Sequence, residues 1–108
     1  MAKWILAVDV TCADPAREAE FNDWYTNMHL ADMLSVPHFI KATRYENIEP
    51  SERKPKYLAV YEIETDNIKE ADRVLREHVA KWKVEGRFHE LVVIEARAIY
   101  KKIAVLSR

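Results

Sequence analysis

Phe21-Asn22-Asp23-Trp24-Tyr25-Thr26-Asn27-Met28-His29-Leu30-Ala31-Asp32-Met33-Leu34-Ser35-Val36-Pro37 is the stretch on which the reading of this chain turns. A helix is expected to enter it from Asp14-Pro15. The Asp14 carboxylate can accept from the free N–H groups of the first turn, and Pro15 suits the first helical position. The helix is expected to run to about Leu34, with Pro37 as its stop, because a residue before proline avoids the helical region. Phe21, Trp24, Tyr25 and Met28 give it an apolar face.

Outward from this helix the periodicity changes from helical to alternating. Upstream, residues 4–11 are short, apolar and β-branched, a first strand. Downstream, residues 38–48 alternate loosely and residues 56–64 alternate clearly, which predicts two strands joined across the polar, twice-proline loop 49–55. Asn67 and Glu70 resemble a capping box. Ile68, Ala71, Leu75, His78, Val79 and Trp82 then fall on one stripe of a second helix, which Gly86 ends. Residues 89–106 hold a fourth strand with an apolar tail. The order β-α-β-β-α-β predicts a ferredoxin-like α+β fold: a four-stranded antiparallel sheet with two helices on one face, in a single domain over 1–108. The sheet's other face is partly apolar, and a second copy is its simplest cover, giving a homodimer.

Composition narrows the function. Apolar residues make up 49% and charged residues 32% of the 108, as in a folded soluble domain. Seventeen Lys+Arg against eighteen Asp+Glu leave a net charge of −1 and no basic stripe, which argues against nucleic acid as a partner. No apolar run approaches the ~18 residues of a membrane helix, so no membrane partner is expected. Gly86 is the one glycine, so neither a P-loop nor a dinucleotide fingerprint is present. Cys12 is the one cysteine, which excludes an internal disulfide and suits a reduced cytoplasmic protein. The four histidines (His29, His38, His78, His89) show no metal-ligand spacing, so no metal site is expected.

The stretch 21–37, with Phe39 and Arg44-Tyr45 after it, resembles the dimeric α+β barrel superfamily, especially its EthD-like branch. That branch often shows a Phe, a Trp/Tyr-Tyr pair, a His four residues after the Tyr, and Pro-Gly before the second strand. Here His38 stands where the Gly is usual, which leaves the helix-to-strand turn in question. The resemblance implies a homodimer with facing sheets and a pocket in each subunit between sheet and helices. Some members bind or degrade haem, and His78 matches their second-helix His in place. The haem-degrading branch, however, pairs that His with an Asn on the first strand and a Trp on the third. This chain has no Asn on the first strand and has Tyr57 and Tyr61 on the third.

The candidate chemistry centres on His29. Tyr25 lies one helical turn before it, and Asp32, three residues after it, can accept from one imidazole nitrogen and raise the basicity of the other. The plainer alternative makes Tyr25 core, His29 half-buried and Asp32 solvated. His78 is expected to point at the sheet, either as a satisfied core residue or as a second acid/base group across a pocket from His29. Arg44 and Tyr45 face opposite sides of their strand, and Arg44 could stabilise an enolate or carboxylate, or form a rim salt bridge. Tyr61 and Tyr100 are candidate pocket hydroxyls; Trp24 and Trp82 are candidate apolar walls or plain core. Cys12, without a second Cys or a clear base, is read as ordinary.

These features lead to a cofactor-free enzyme of isomerase, cyclase or lyase type, moving a proton next to a carbonyl of an apolar or aromatic small molecule. In that reading activity falls as His29 protonates, and a flat rate from about pH 5 to 8 counts against a histidine base. One alternative is a non-catalytic binding or accessory protein with the same pocket. Another is a haem-binding protein or a cofactor-free monooxygenase.

Overall fold

The computed structural model describes residues 1–108. Strand β1 (Lys3–Cys12) alternates, turning Leu6, Val8 and Val10 toward the helices and Ile5, Ala7 and Asp9 away. Asp14 accepts from the Ala16 amide at 3.0 Å, and a 3-10 turn at Pro15–Arg17 leads into helix α1 (Glu18–Trp24). The expected single α-helix is therefore interrupted. A π-helical turn, Tyr25–His29, joins α1 to helix α2 (Leu30–Leu34).

The interruption has a geometric reason. Phe21, Tyr25, His29 and Met33 are all buried, at a spacing of four. Four α-helical residues advance about 400°, so three such steps would carry Met33 about 120° round from Phe21. The wider i→i+5 turn, seen where the Leu30 amide donates to the Tyr25 carbonyl, takes more residues per turn and offsets that drift. All four side chains stay on the sheet-facing side.

Strand β2 (Phe39–Glu46) pairs with β3 (Tyr57–Glu64) through a bulge that leaves Ile40 without a partner. The bulge changes the strand's parity. Phe39 faces inward before it and Ala42 and Arg44 after it, while Ile40, expected to share Arg44's face, is exposed. His38, at φ 76°, takes the left-handed conformation the missing glycine would adopt freely, and its carbonyl accepts from Glu64 N–H at 3.0 Å. Asn67 caps helix α3 (Ile68–Val84), accepting from Glu70 N–H at 3.1 Å. Gly86, at φ 75°, ends it, and the Arg87 amide reaches back to the Trp82 carbonyl at 2.7 Å.

Strand β4 (Val92–Lys101) is shorter than the expected 89–106, and the apolar tail beyond Lys101 forms no strand. All pairings are antiparallel, in the order β2-β3-β1-β4, the ferredoxin-like order. Leu6, Val8 and Val10 pack with Ala59, Tyr61 and Ile63 beneath Phe21, Met33, Leu75 and Trp82. The opposite face carries exposed Ile40, Tyr45 and Tyr100 and half-buried Ile5, Leu58 and Val60. No helix is long and apolar enough to cross a membrane.

Candidate functional site

A cavity of about 370 Å³ opens between the sheet and the helices. Its walls are apolar: Leu6 and Val8 from β1, Met33 from α2, Leu75 and Val79 from α3, and Phe88. Its deep end holds three buried polar side chains, Tyr25, His29 and Tyr61. Two of these come from the π turn. Tyr61 comes from β3, on the buried parity with Tyr57, Ala59 and Ile63.

His29 is 6% exposed; its ring makes no hydrogen bond to any protein group, and it lines the cavity. Trp24 stacks on it, with centroids 4.8 Å apart and planes 19° apart. Tyr25, Phe88 and Trp82 meet it edge-on at 4.8, 5.5 and 6.1 Å. Burial is the main reason its pKa falls to about 4; the Asp32 charge pulls up weakly and the Arg44 charge pushes down. At neutral pH the ring is therefore uncharged, with a free lone pair at the cavity.

The Tyr25 and Tyr61 hydroxyls lie 3.2 Å apart. Each phenol carries one proton, so when one donates to the other, the acceptor's own O–H is free for a ligand oxygen. Burial raises both phenol pKa values, so both are protonated at neutral pH.

Arg44 lies behind this pair rather than in the cavity. Its guanidinium carbon is 4.5 Å from the Tyr25 ring centroid, 5.0 Å from that of Tyr57 and 5.7 Å from that of Phe21. It donates to Thr26 Oγ1 and Asn22 Oδ1, both at 2.9 Å. Neither expected role, direct anion contact or a rim salt bridge, matches this position. It is a cation clamped among aromatic faces that fixes the Tyr25 ring.

Other expected site residues lie elsewhere. Asp32 does not reach the imidazole: Arg87 takes both its oxygens, at 2.8 and 3.1 Å, so it acts on His29 only through space. His78 Nδ1 bonds the Val74 carbonyl at 2.9 Å on its own helix, and its ring does not line the cavity. It cannot work across the cavity from His29, nor serve as an axial ligand to a haem held there. Tyr100 is 57% exposed on the far sheet face. Trp24 and Trp82 back the His29 ring without lining the hollow, and Trp24 Nε1 donates to the Arg87 carbonyl at 3.1 Å. No cluster of three or more His, Cys, Asp or Glu side chains is arranged to hold a metal ion.

The sequence reading missed Phe88, and three cations at the cavity's exposed margin: Arg76, Lys83 and Arg97. Lys83 follows Leu75 and Val79 along α3 at four-residue spacing, and Arg76 lies seven residues before Lys83, a signal that was present. Arg97 was hidden by a bulge at Glu95 that reverses the parity of β4.

A buried imidazole and a phenol pair line a cavity under two helices on an antiparallel sheet. The fold is shared with solved structures of low sequence identity. HapK from Hahella chejuensis matches with a TM-score of 0.66 over 97% of each chain, at 12% identity. An ethyl tert-butyl ether degradation (EthD) family protein from Bacillus halodurans C-125 matches with a TM-score of 0.56, over 95% of this chain and all of that one, at 17% identity. No family model matches the chain. Among curated proteins, core atranone cluster protein 1 of Stachybotrys chlorohalonatus is 47% identical over 47 residues, 44% of this chain. The aligned stretch spans only 20% of that protein's length.

Proposed function

We propose that the chain is a small-molecule enzyme that moves a proton on the carbon next to a carbonyl, with neutral His29 as the base and the Tyr25–Tyr61 pair holding the carbonyl oxygen. The observation that carries this is one arrangement: an imidazole with no protein hydrogen-bond partner and a spare phenol proton side by side in one largely apolar cavity. His29 removes the proton, the electron pair moves into the carbonyl, and the enolate oxygen accepts from the free phenol O–H. Return of the proton to another position isomerises the substrate; departure of a group on the next carbon with its electron pair eliminates; attack of the enolate carbon on a second carbonyl of the same molecule, whose oxygen takes the proton from His29, closes a ring. Asp32 has no part in the transfer; Arg44 positions Tyr25.

The apolar outer face, with Ile40, Tyr45 and Tyr100 exposed, supports a homodimer joined sheet to sheet. Each subunit's cavity lies on the opposite side of the sheet from that face.

The test uses 1-tetralone, a bicyclic ketone that fits the hollow, in deuterated buffer, with NMR following loss of the protons next to the carbonyl. Exchange above background that disappears in His29→Gln while tetralone affinity holds supports the reading. Binding without exchange overturns it in favour of an accessory role. Consumption of dissolved oxygen, with anaerobic suppression of product, identifies a monooxygenase using the same base.

A further inference from the structure

The cavity's charged lining is of one sign: it includes Arg76, Lys83 and Arg97 and no Asp or Glu. One neighbouring carboxylate, Asp72, serves two of the three, accepting from Arg76 Nε at 3.1 Å and from Arg97 Nη2 at 2.7 Å. Lys83 makes no salt bridge and rests over the Phe88 ring, 5.1 Å from its centroid. Three cations against one carboxylate leave two in excess, on a chain whose net charge is −1. Both guanidiniums keep further N–H donors unused, in the planar arrangement that suits a carboxylate.

Arg97 reaches the cavity because of a defect in the sheet. Val10 pairs with Ile94 but Asp9 pairs with Ala96, so Glu95 is an extra residue, and its side chain is held outside by Thr11 Oγ1 at 2.8 Å. Without the bulge, alternation from Val92 and Ile94 would bring Ala96 and Ala98 inward. With it, Arg97 faces inward opposite Val8. Bulges commonly re-aim side chains beside binding sites.

We infer that the ligand is an amphipathic carboxylate, its apolar or aromatic body in the hollow and its carboxylate at the margin against Arg97, Arg76 and Lys83. This rests on the reading of the hollow as a small-molecule site and adds the acid group to the substrate class. The carbonyl at the tyrosine pair and the carboxylate at the margin are then opposite ends of one molecule.

Calorimetric titration with 2-naphthoate and with its neutral isostere 2-naphthamide tests it. The acid should bind about ten-fold tighter at low salt, the scale of one charge-assisted contact at a partly exposed site. The advantage should contract several-fold in concentrated sodium chloride. It should vanish in the Lys83→Gln, Arg97→Gln double variant, survive largely in Arg97→Lys, and fall about three-fold in Lys83→Gln alone, whose exposed site does not threaten the fold. The amide's affinity should hold in all of them. Equal affinities for acid and amide in the unsubstituted protein overturn the acid group and leave the small-molecule site standing. An advantage undiminished in the variants also overturns it, since the acid would then be held elsewhere. Binding of neither probe overturns both.

Discussion

Acidification should weaken this protein through one side chain, and the loss can be worked out beforehand. His29 has a folded pKa of about 4 against an ordinary 6.5, burial being the main cause. Its contribution to stability is intact above pH 6.5 and is lost as the pH falls toward 4, because the unfolded chain takes up a proton that the folded chain refuses. The loss is about 1 kcal/mol at pH 6, about 2 at pH 5 and about 3 at pH 4, where the folded form begins to protonate too. Urea denaturation at a series of pH values measures it, with His29→Gln as the reference. The substitution removes this titration and leaves every other side chain unchanged. The difference between the two proteins should therefore grow by about 2 kcal/mol between pH 7 and pH 5. Parallel stability curves, or an NMR titration of His29 centred near 6.5, would refute the buried environment from which the chemistry is argued.

Three further outcomes follow from particular contacts. Asp32→Asn should cost no more than about 1 kcal/mol in urea denaturation, as expected for a partly exposed pair with Arg87, and should leave tetralone exchange intact. Loss of exchange there would restore Asp32 to the reaction. His38→Gly should raise stability by about 0.5–1 kcal/mol by relieving a left-handed backbone, seen as a higher denaturation midpoint with an unchanged slope. Tyr100→Glu, on the outer sheet face, should halve the mass found by light scattering while the far-ultraviolet circular dichroism stays the same; an unchanged mass would place the subunit contact elsewhere.

The architecture was legible because its signals are local. Asp14-Pro15, the Asn67 cap, Pro37 and Gly86 punctuate the chain, and β1 and β3 alternate cleanly enough to show their buried faces. The burial of His29, Tyr25 and Tyr61 was legible because each lies on such a face. What escaped were the irregularities. The extra residues Ile40 and Glu95 are ordinary in composition, yet each reverses every side chain that follows on its strand. Arg97 was thereby missed, and Ile40 was placed on the wrong face. Asp32 was misjudged for a different reason: spacing of three along the helix puts it near His29, but a guanidinium 55 residues away in sequence offered a two-point partner. His78 turned back to its own helix, which an apolar stripe does not foretell. The π turn left no composition signal beyond the four-residue spacing of Phe21, Tyr25, His29 and Met33, a pattern no continuous α-helix could bury throughout.

A base of pKa about 4 is weak by ordinary measure, since general bases work best near the ambient pH. Here the weakness belongs to a buried imidazole with no anion beside it. Desolvation disfavours the imidazolium while it stands alone, but the same scarcity of water strengthens its attraction to an enolate formed beside it. The base is poor until the proton has moved and adequate once it has. That has a kinetic consequence, because kcat/KM reports groups in the free enzyme and kcat those in the complex. For any substrate turned over, kcat/KM should stay level from pH 8 down to about 5 and fall only toward pH 4. A level profile from pH 5 to 8, expected from the sequence to count against a histidine base, is instead what this buried one requires, because burial moves its titration below that range. With a carboxylate substrate, the added negative charge favours the imidazolium, so the fall in kcat should lie at higher pH than the fall in kcat/KM. Coincident profiles centred near 6.5 would mean that the catalytic histidine is solvated, and His29 in this cavity is not.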